Sequence, residues 1–320
     1  LPIVYFRIAA HGSPPASRAP SLERLIARAA RRSGVTSWRT EAFRAIAADE
    51  PETPPPIAVA QWRASVGTET PGWVALATPV HLIAGMSNVH LPIDGILEID
   101  CAEADTLAAD FNRSFGGGGT RLERGLGSAL LCGFDAPIAA ETTPPAEALG
   151  GDVWAHQPRG GGSAELRRLA TEIEMWLFDH AVNAARRARG APVISALWLW
   201  GGGAGNTPLP RVTGWTAGDD ALFSAFNPQS HYPAAAADRS GVVVLPAWPG
   251  TSAWAENEQR WLNPALADLG AGRLSRIEIS AAASSFSVSA RGLRRFWRRS
   301  EPWWKSFGVA AAAEGAPHAD

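Results

Sequence analysis

The sequence predicts an α/β fold, a mixed sheet with helices on its faces. Three observations carry this, and all lie within residues 164–203. Leu166, Leu169, Ile173, Trp176, Leu177 and His180 recur at three- and four-residue steps, which sets them on one helical face; Arg167, Arg168, Glu172, Asp179 and Arg187 fall outside it. Gly190 and Pro192 then stop the helix. Residues 193–200 are apolar without a break, which predicts an interior strand, buried on both faces and parallel to a neighbour. Gly201, Gly202 and Gly203 follow at once, and strand ends are where α/β sheets gather ligands.

The remaining elements follow from local pattern. Residues 1–9 read as a first strand and 22–32 as a helix capped by Ser21, with Arg24, Arg28, Arg31 and Arg32 on its solvated face. Strand character resumes at 73–84 and 93–99, and Leu107, Phe111 and Phe115 mark a helix over 103–115. Short strands are expected at 130–134, 153–154, 211–215 and 241–247, and a strand pair at 273–280 and 284–290. Helices are expected at 219–226, with Asp219 as cap, at 254–269 and at 293–299.

The run DEPETPPP at 49–56 is a stiff, proline-rich link. It divides an N-terminal α/β segment, 1–48, from a main α/β domain, 57–307, followed by a flexible alanine-rich tail, 308–320. The 320 residues are 46% hydrophobic and 19% charged, a globular balance that can bury one large core or two modest ones. A formal charge of −2 sets up no global field toward nucleic acid or a membrane surface. No apolar run reaches membrane-spanning length and the first residues lack a signal-peptide layout, so a cytoplasmic protein is expected. Cys101 and Cys132 are too few and too distant for a zinc cluster or a disulfide framework.

Two groups of residues are candidates for binding an anion. Gly201, Gly202 and Gly203 would let backbone amides approach phosphate oxygens, although no lysine follows as in a nucleotide P-loop; a strand-to-loop exit is the alternative. His180, Asn183 and Arg186 stand three residues apart, and could grip a phosphate or carboxylate or could brace the helix end. The histidines are scattered, so no metal site and no cofactor are expected. No G-x-S-x-G turn is present. Most of the fourteen tryptophans are expected to pack in the core.

The run EIEMWLFDHAVNAAR followed by LWLWGGG resembles the RpfE-like, phosphoglycerate-mutase-like family of proteobacterial proteins. His180, Val182, Asn183, Arg186 and residues 198–203 match its pattern, whereas Glu174, Ala181 and Ile194 depart from it. TPVHL at 78–82 and RFWRR at 295–299 are weaker echoes in the same order. The resemblance implies a fold distantly like the archaeal-type phosphoglycerate mutases and alkaline phosphatases, which use two metal ions. The aspartate–histidine motifs of that chemistry are missing here, and Trp200 stands where the mutases carry arginine. It therefore implies a non-catalytic or regulatory protein that binds a phosphorylated metabolite or a protein partner. A metal-dependent mutase or phosphotransferase, and an accessory subunit of a biosynthetic enzyme, are the alternatives.

Overall fold

A computed structural model describes residues 2–8, 18–32, 37–49, 51–86, 88–234, 238–245, 251–281, 284–295 and 297–307. The chain forms two compact units, one from Leu1–Pro54 with Pro210–Asp320 and one from Pro55–Leu209. The first stretch holds β1 (Ile3–Ile8), α1 (Pro20–Arg28), β2 (Ala30–Arg32) and α2 (Trp38–Ile46). The second unit holds α3 (Ile57–Ser65), β3 (Trp73–Val80), β4 (Ile83–Ala84), β5 (Val89–Leu91), α4 (Cys101–Phe115), β6 (Thr120–Arg124) and β7 (Leu130–Phe134). It continues through β8 (Gly151–Asp152), α5 (Ser163–Phe178), α6 (Ala181–Ala188) and β9 (Ala196–Ala204). The returning stretch adds β10 (Trp215–Gly218), β11 (Gly241–Leu245), α7 (Thr251–Asn257), α8 (Asn263–Gly270), β12 (Arg276–Ala281), β13 (Ser284–Ser289), α9 (Ala290–Leu293) and α10 (Trp303–Ser306). The fold is α/β, with a mixed sheet and flanking helices.

The first unit is a six-stranded sheet of order β10-β11-β1-β12-β13-β2. β10, β11, β1 and β12 run parallel, and β13 and β2 are antiparallel additions. Alternation along β1 sends Val4, Phe6 and Ile8 into an apolar core with Leu22, Leu25, Ile277, Ile279 and Trp254. On the opposite face Tyr5 pairs in register with Glu278 and Val242, and Arg7 with Ser280 and Val244. Burial pushes the Tyr5 phenol up to about 12 and raises the Glu278 carboxyl above its ordinary range.

This division differs from the expected boundaries. β1 lies between β11 and β12, so strands from 210–307 share one sheet with the N-terminal segment. The chain leaves the first unit within the proline-rich link and returns between Leu209 and Pro210. The tail at 308–320 lies outside the described residues.

Several elements also differ locally. Helices α2 and α3 were not expected. Residues 93–99 are irregular, because Gly95 N–H turns back onto Pro92 O. A single 3₁₀ turn covers Val153–His156 where a strand was expected. Residues 219–226 hold only a short 3₁₀ turn, Phe223–Ala225, whose N-cap is Leu222 and not Asp219; Asp220 accepts from Leu222 N–H and Phe223 N–H ahead of it.

The second unit contains an antiparallel sheet of order β6-β7-β3-β9 and a small sheet β4-β5-β8. On one face α4 and α5 bury Leu107, Phe111, Leu166, Leu169 and Ile173 against Leu197 and Leu199. On the other, Val80 and Ala196 pack with Leu91, Ala148 and Val153. β9 is thus covered on both faces, as its composition requires, but it is an edge strand antiparallel to β3 and not an interior parallel one. Apolar continuity reports the faces of a strand, not its edges.

β9 carries a bulge. Between the pairs Leu76↔Trp200 and Val74↔Gly203, two β9 residues oppose Ala75 alone. Gly201, at φ +64°, takes the left-handed position that such a bulge needs. A Cβ on Gly202 would lie 2.0 Å from Trp73 Cζ2, and one on Gly203 2.5 Å from Pro56 Cβ. Gly202→Ala should cost about 1–3 kcal/mol through overpacking. In urea denaturation that loss should shrink in the Trp73→Leu background, a coupling that double-mutant analysis reads directly.

Candidate functional site

The helix expected to run unbroken to Gly190 breaks at Asp179, and His180 becomes the N-cap of α6. Its Nδ1 accepts from Val182 N–H at 3.2 Å, so the neutral ring carries its proton on Nε2. Nε2 stands 3.2 Å from Asp110 Oδ2, an ion-pair distance that falls short of hydrogen-bond geometry. Burial holds this imidazole below its ordinary range, and the nearby Asp110 carboxylate offsets part of that.

Asn183 is 1% exposed. Its amide donates to Leu177 O at 2.7 Å and Ile194 O at 2.9 Å, and accepts from Ile194 N–H at 2.8 Å. Arg186, 4% exposed, donates from Nε to Pro192 O at 2.7 Å and pairs with Glu103 Oε2 at 2.8 Å. Glu103 also receives Arg189 and closes the capping box of α4 with Asp100. The spacing of His180, Asn183 and Arg186 does bring them to one junction, and there their polar atoms face protein atoms. Gly201, Gly202 and Gly203 are placed in the bulge and the close packing of β9.

The open space of this unit lies along the free edge of β9. Pro79 determines which β9 groups face it. Proline has no N–H, and Pro79 O accepts from Leu97 N–H at 3.0 Å, on the side away from β9. Pro79 is paired with Leu197, which makes this the non-hydrogen-bonded pair of the ladder. Alternation then aims the N–H and C=O of Leu197 and Leu199 outward, while Trp198 and Trp200 bond to β3.

A cleft of about 670 Å³ lies against this edge and is lined by all of residues 196–199. One wall is α5, through Leu166, Arg167, Ala170, Thr171 and Glu174. The other is the end of β8 and the turn after it, with Asp152, His156 and Trp154, a residue 80% exposed. Trp198 is held by its Nε1–H on Thr143 O at 2.8 Å, and Arg167 by a bond to Pro158 O at 2.9 Å. Glu174 keeps access to solvent at the rim, yet the surrounding walls raise its carboxyl above the ordinary range. The sequence reading placed Arg167 outside the apolar stripe and did not connect it to a site; Pro79 was the usable signal for the edge. Among the described residues no group of three His, Cys, Asp or Glu side chains could hold a metal ion, and no helix is long and apolar enough to cross a membrane.

No family model matches the sequence, and no curated protein does. Among solved structures, a cofactor-independent phosphoglycerate mutase from Thermoplasma acidophilum is similar at 13% identity and a TM-score of 0.37, over 90% of this chain and 89% of that one. A protein from Pyrococcus horikoshii is similar at 13% identity and a TM-score of 0.46, over 89% of this chain and 86% of that one. Similarity at these scores assigns no chemistry, and the α/β class stands on the sheets themselves.

Two outcomes follow from the junction. Arg186→Ala should cost about 3–5 kcal/mol in urea denaturation, since it leaves Glu103 buried with only the half-exposed Arg189 as counter-ion. For His180 the folded ring binds its proton less readily than the unfolded one, so its contribution is present above the unfolded value and is lost as pH falls below about 6.5. His180→Asn keeps a capping acceptor and removes the titration. The difference in thermal midpoint between wild type and His180→Asn should therefore move in favour of the variant as pH drops from 7.5 to 5.

Proposed function

We propose that this protein binds an extended segment of a partner protein, which adds to β9 as a further antiparallel strand. The single observation that carries this is the outward N–H and C=O of Leu197 and Leu199, which among the described residues lack a strand partner along a cleft that residues 196–199 line, although the two residues are only 1% and 7% exposed. Strand addition uses such groups for affinity and the walls for specificity. β9 reads ALWLWGGGA, with no charge, proline or lysine to guard the edge. Unpaired edges of that kind recruit other chains, and native proteins cover or charge them. Here α5 and the turn after β8 stand on either side of that edge.

Alternate side chains of the segment would face α5 and the turn after β8. Glu174 has no ion pair among the described residues, and it suits a basic side chain on the α5 side. The reading keeps the binding role that the sequence resemblance implies and assigns it to a protein partner.

Peptides selected from a random dodecapeptide display library on the purified protein would serve as the probe. Ala170→Trp fills the cleft from a half-buried helix position, and Thr171→Trp narrows it from an exposed position on the same wall, so that neither disturbs the buried Leu197. Both should weaken peptide binding about tenfold or more by fluorescence anisotropy, a loss of about 1.4 kcal/mol at least. Trp198→Pro, which removes an inward N–H, should instead destabilise the fold. Equal binding by wild type and Ala170→Trp would overturn the proposal. So would a wild-type dimer that Ala170→Trp makes monomeric, because the occupant would then be a second copy of this chain.

A further inference from the structure

The first unit holds a second cleft, of about 470 Å³, that is independent of the β9 edge. Arg31 reaches it from β2, and Arg295, Arg298 and Arg299 from the segment after α9. Ile26 and Ala27 of α1 and Phe286 of β13 supply its apolar surface. The chain as a whole carries −2, so this concentration of positive charge is local.

Little inside the cleft neutralises it. Glu23 is buried, and both its oxygens are held by Arg18, at 2.6 and 2.5 Å. Glu301 is the other acid on the lining. Arg31 donates to Ser284 Oγ at 3.1 Å and Arg298 to Ala29 O at 3.1 Å, both uncharged acceptors. Among the described residues neither Arg295 nor Arg299 has a carboxylate partner. Four guanidinium groups on one cleft wall, with two acids beside them, favour an anionic occupant.

We infer that this cleft binds a small ligand carrying at least two phosphoryl groups. A phosphoryl group presents three oxygens and close to two charges, so two planar guanidinium forks can bond it at once, whereas a carboxylate fills one fork. One such group leaves part of a four-arginine lining without a counter-charge, and two supply it. The volume is that of a small-molecule site.

Inorganic pyrophosphate is the probe, titrated calorimetrically into the full chain. Wild type should bind it at one per chain, more weakly as sodium chloride rises. Arg295→Gln/Arg299→Gln should bind about tenfold more weakly or worse, with an unchanged thermal midpoint in the absence of pyrophosphate. Ala27→Glu, which keeps every arginine and adds a carboxylate to the wall, should weaken it likewise. Orthophosphate should bind more weakly than pyrophosphate, and a triglutamate peptide more weakly still. Equal affinity in wild type and both variants would overturn the inference. So would orthophosphate or triglutamate binding as tightly as pyrophosphate, or no heat at millimolar pyrophosphate.

Discussion

The second unit depends on the side-chain amide of Asn183. A helix end leaves backbone groups without partners, and a chain that turns from a helix into a buried strand leaves more. Asn183 answers both needs at once, since it bonds Leu177 O in the last turn of α5 and both backbone groups of Ile194 ahead of β9. Arg186 completes the closure on Pro192 O and ties it to the buried Glu103 of α4. Leaving a buried backbone group unmade costs about 1–3 kcal/mol, so three such bonds from one amide are a strong constraint. They fix where β9 begins, and with it the pairing to β3 that turns Leu197 and Leu199 toward the cleft.

This explains how the most chemically suggestive residues of the sequence come to bond the protein's own backbone and carboxylates. Histidine, asparagine and arginine at three-residue spacing can hold a phosphate, and they can equally satisfy backbone at a helix junction; residue type and spacing are the same in both cases. What separates them is the second partner, Ile194 or Glu103, eleven and eighty-three residues away. The glycines are ambiguous for a similar reason. A phosphate cradle and a β-bulge both require glycine, and only the ring of Trp73, far off in sequence, identifies the close approach at Gly202.

Periodicity was legible where a face meets a core. The stripe of Leu166, Leu169, Ile173 and Leu177 is the buried face of α5, and the α/β class followed from it together with β9. The break at Asp179 was not legible, because His180 continues the phase of the stripe while its backbone leaves the helix. The strand order was not legible either. β1 pairs with β11 and β12 across more than two hundred residues, and nothing local to Ile3–Ile8 names those partners. The proline-rich link did mark one crossing between units, since proline resists both helix and ladder. The return crossing, flanked by Pro208 and Pro210, carried the same mark in shorter form.

Rigidity of the β9 edge bears directly on what it can do. Its floor is bonded to β3 along nearly its whole length, Trp198 is tethered through Nε1, and α5 is anchored by Leu166 and Leu169. A segment that docks there orders itself but has little of the protein left to order. Binding loses affinity chiefly through such ordering, so a preformed edge lets a few backbone hydrogen bonds, each worth about 0.5–1.5 kcal/mol net, count nearly in full. Those bonds are blind to sequence. Discrimination must come from the walls, where Arg167, Glu174 and Asp152 place charges of both signs around an apolar floor. A partner segment with the wrong charge opposite Glu174 would have to leave that carboxylate and its own acid close together in a partly desolvated slot, and like charges so placed are strongly disfavoured.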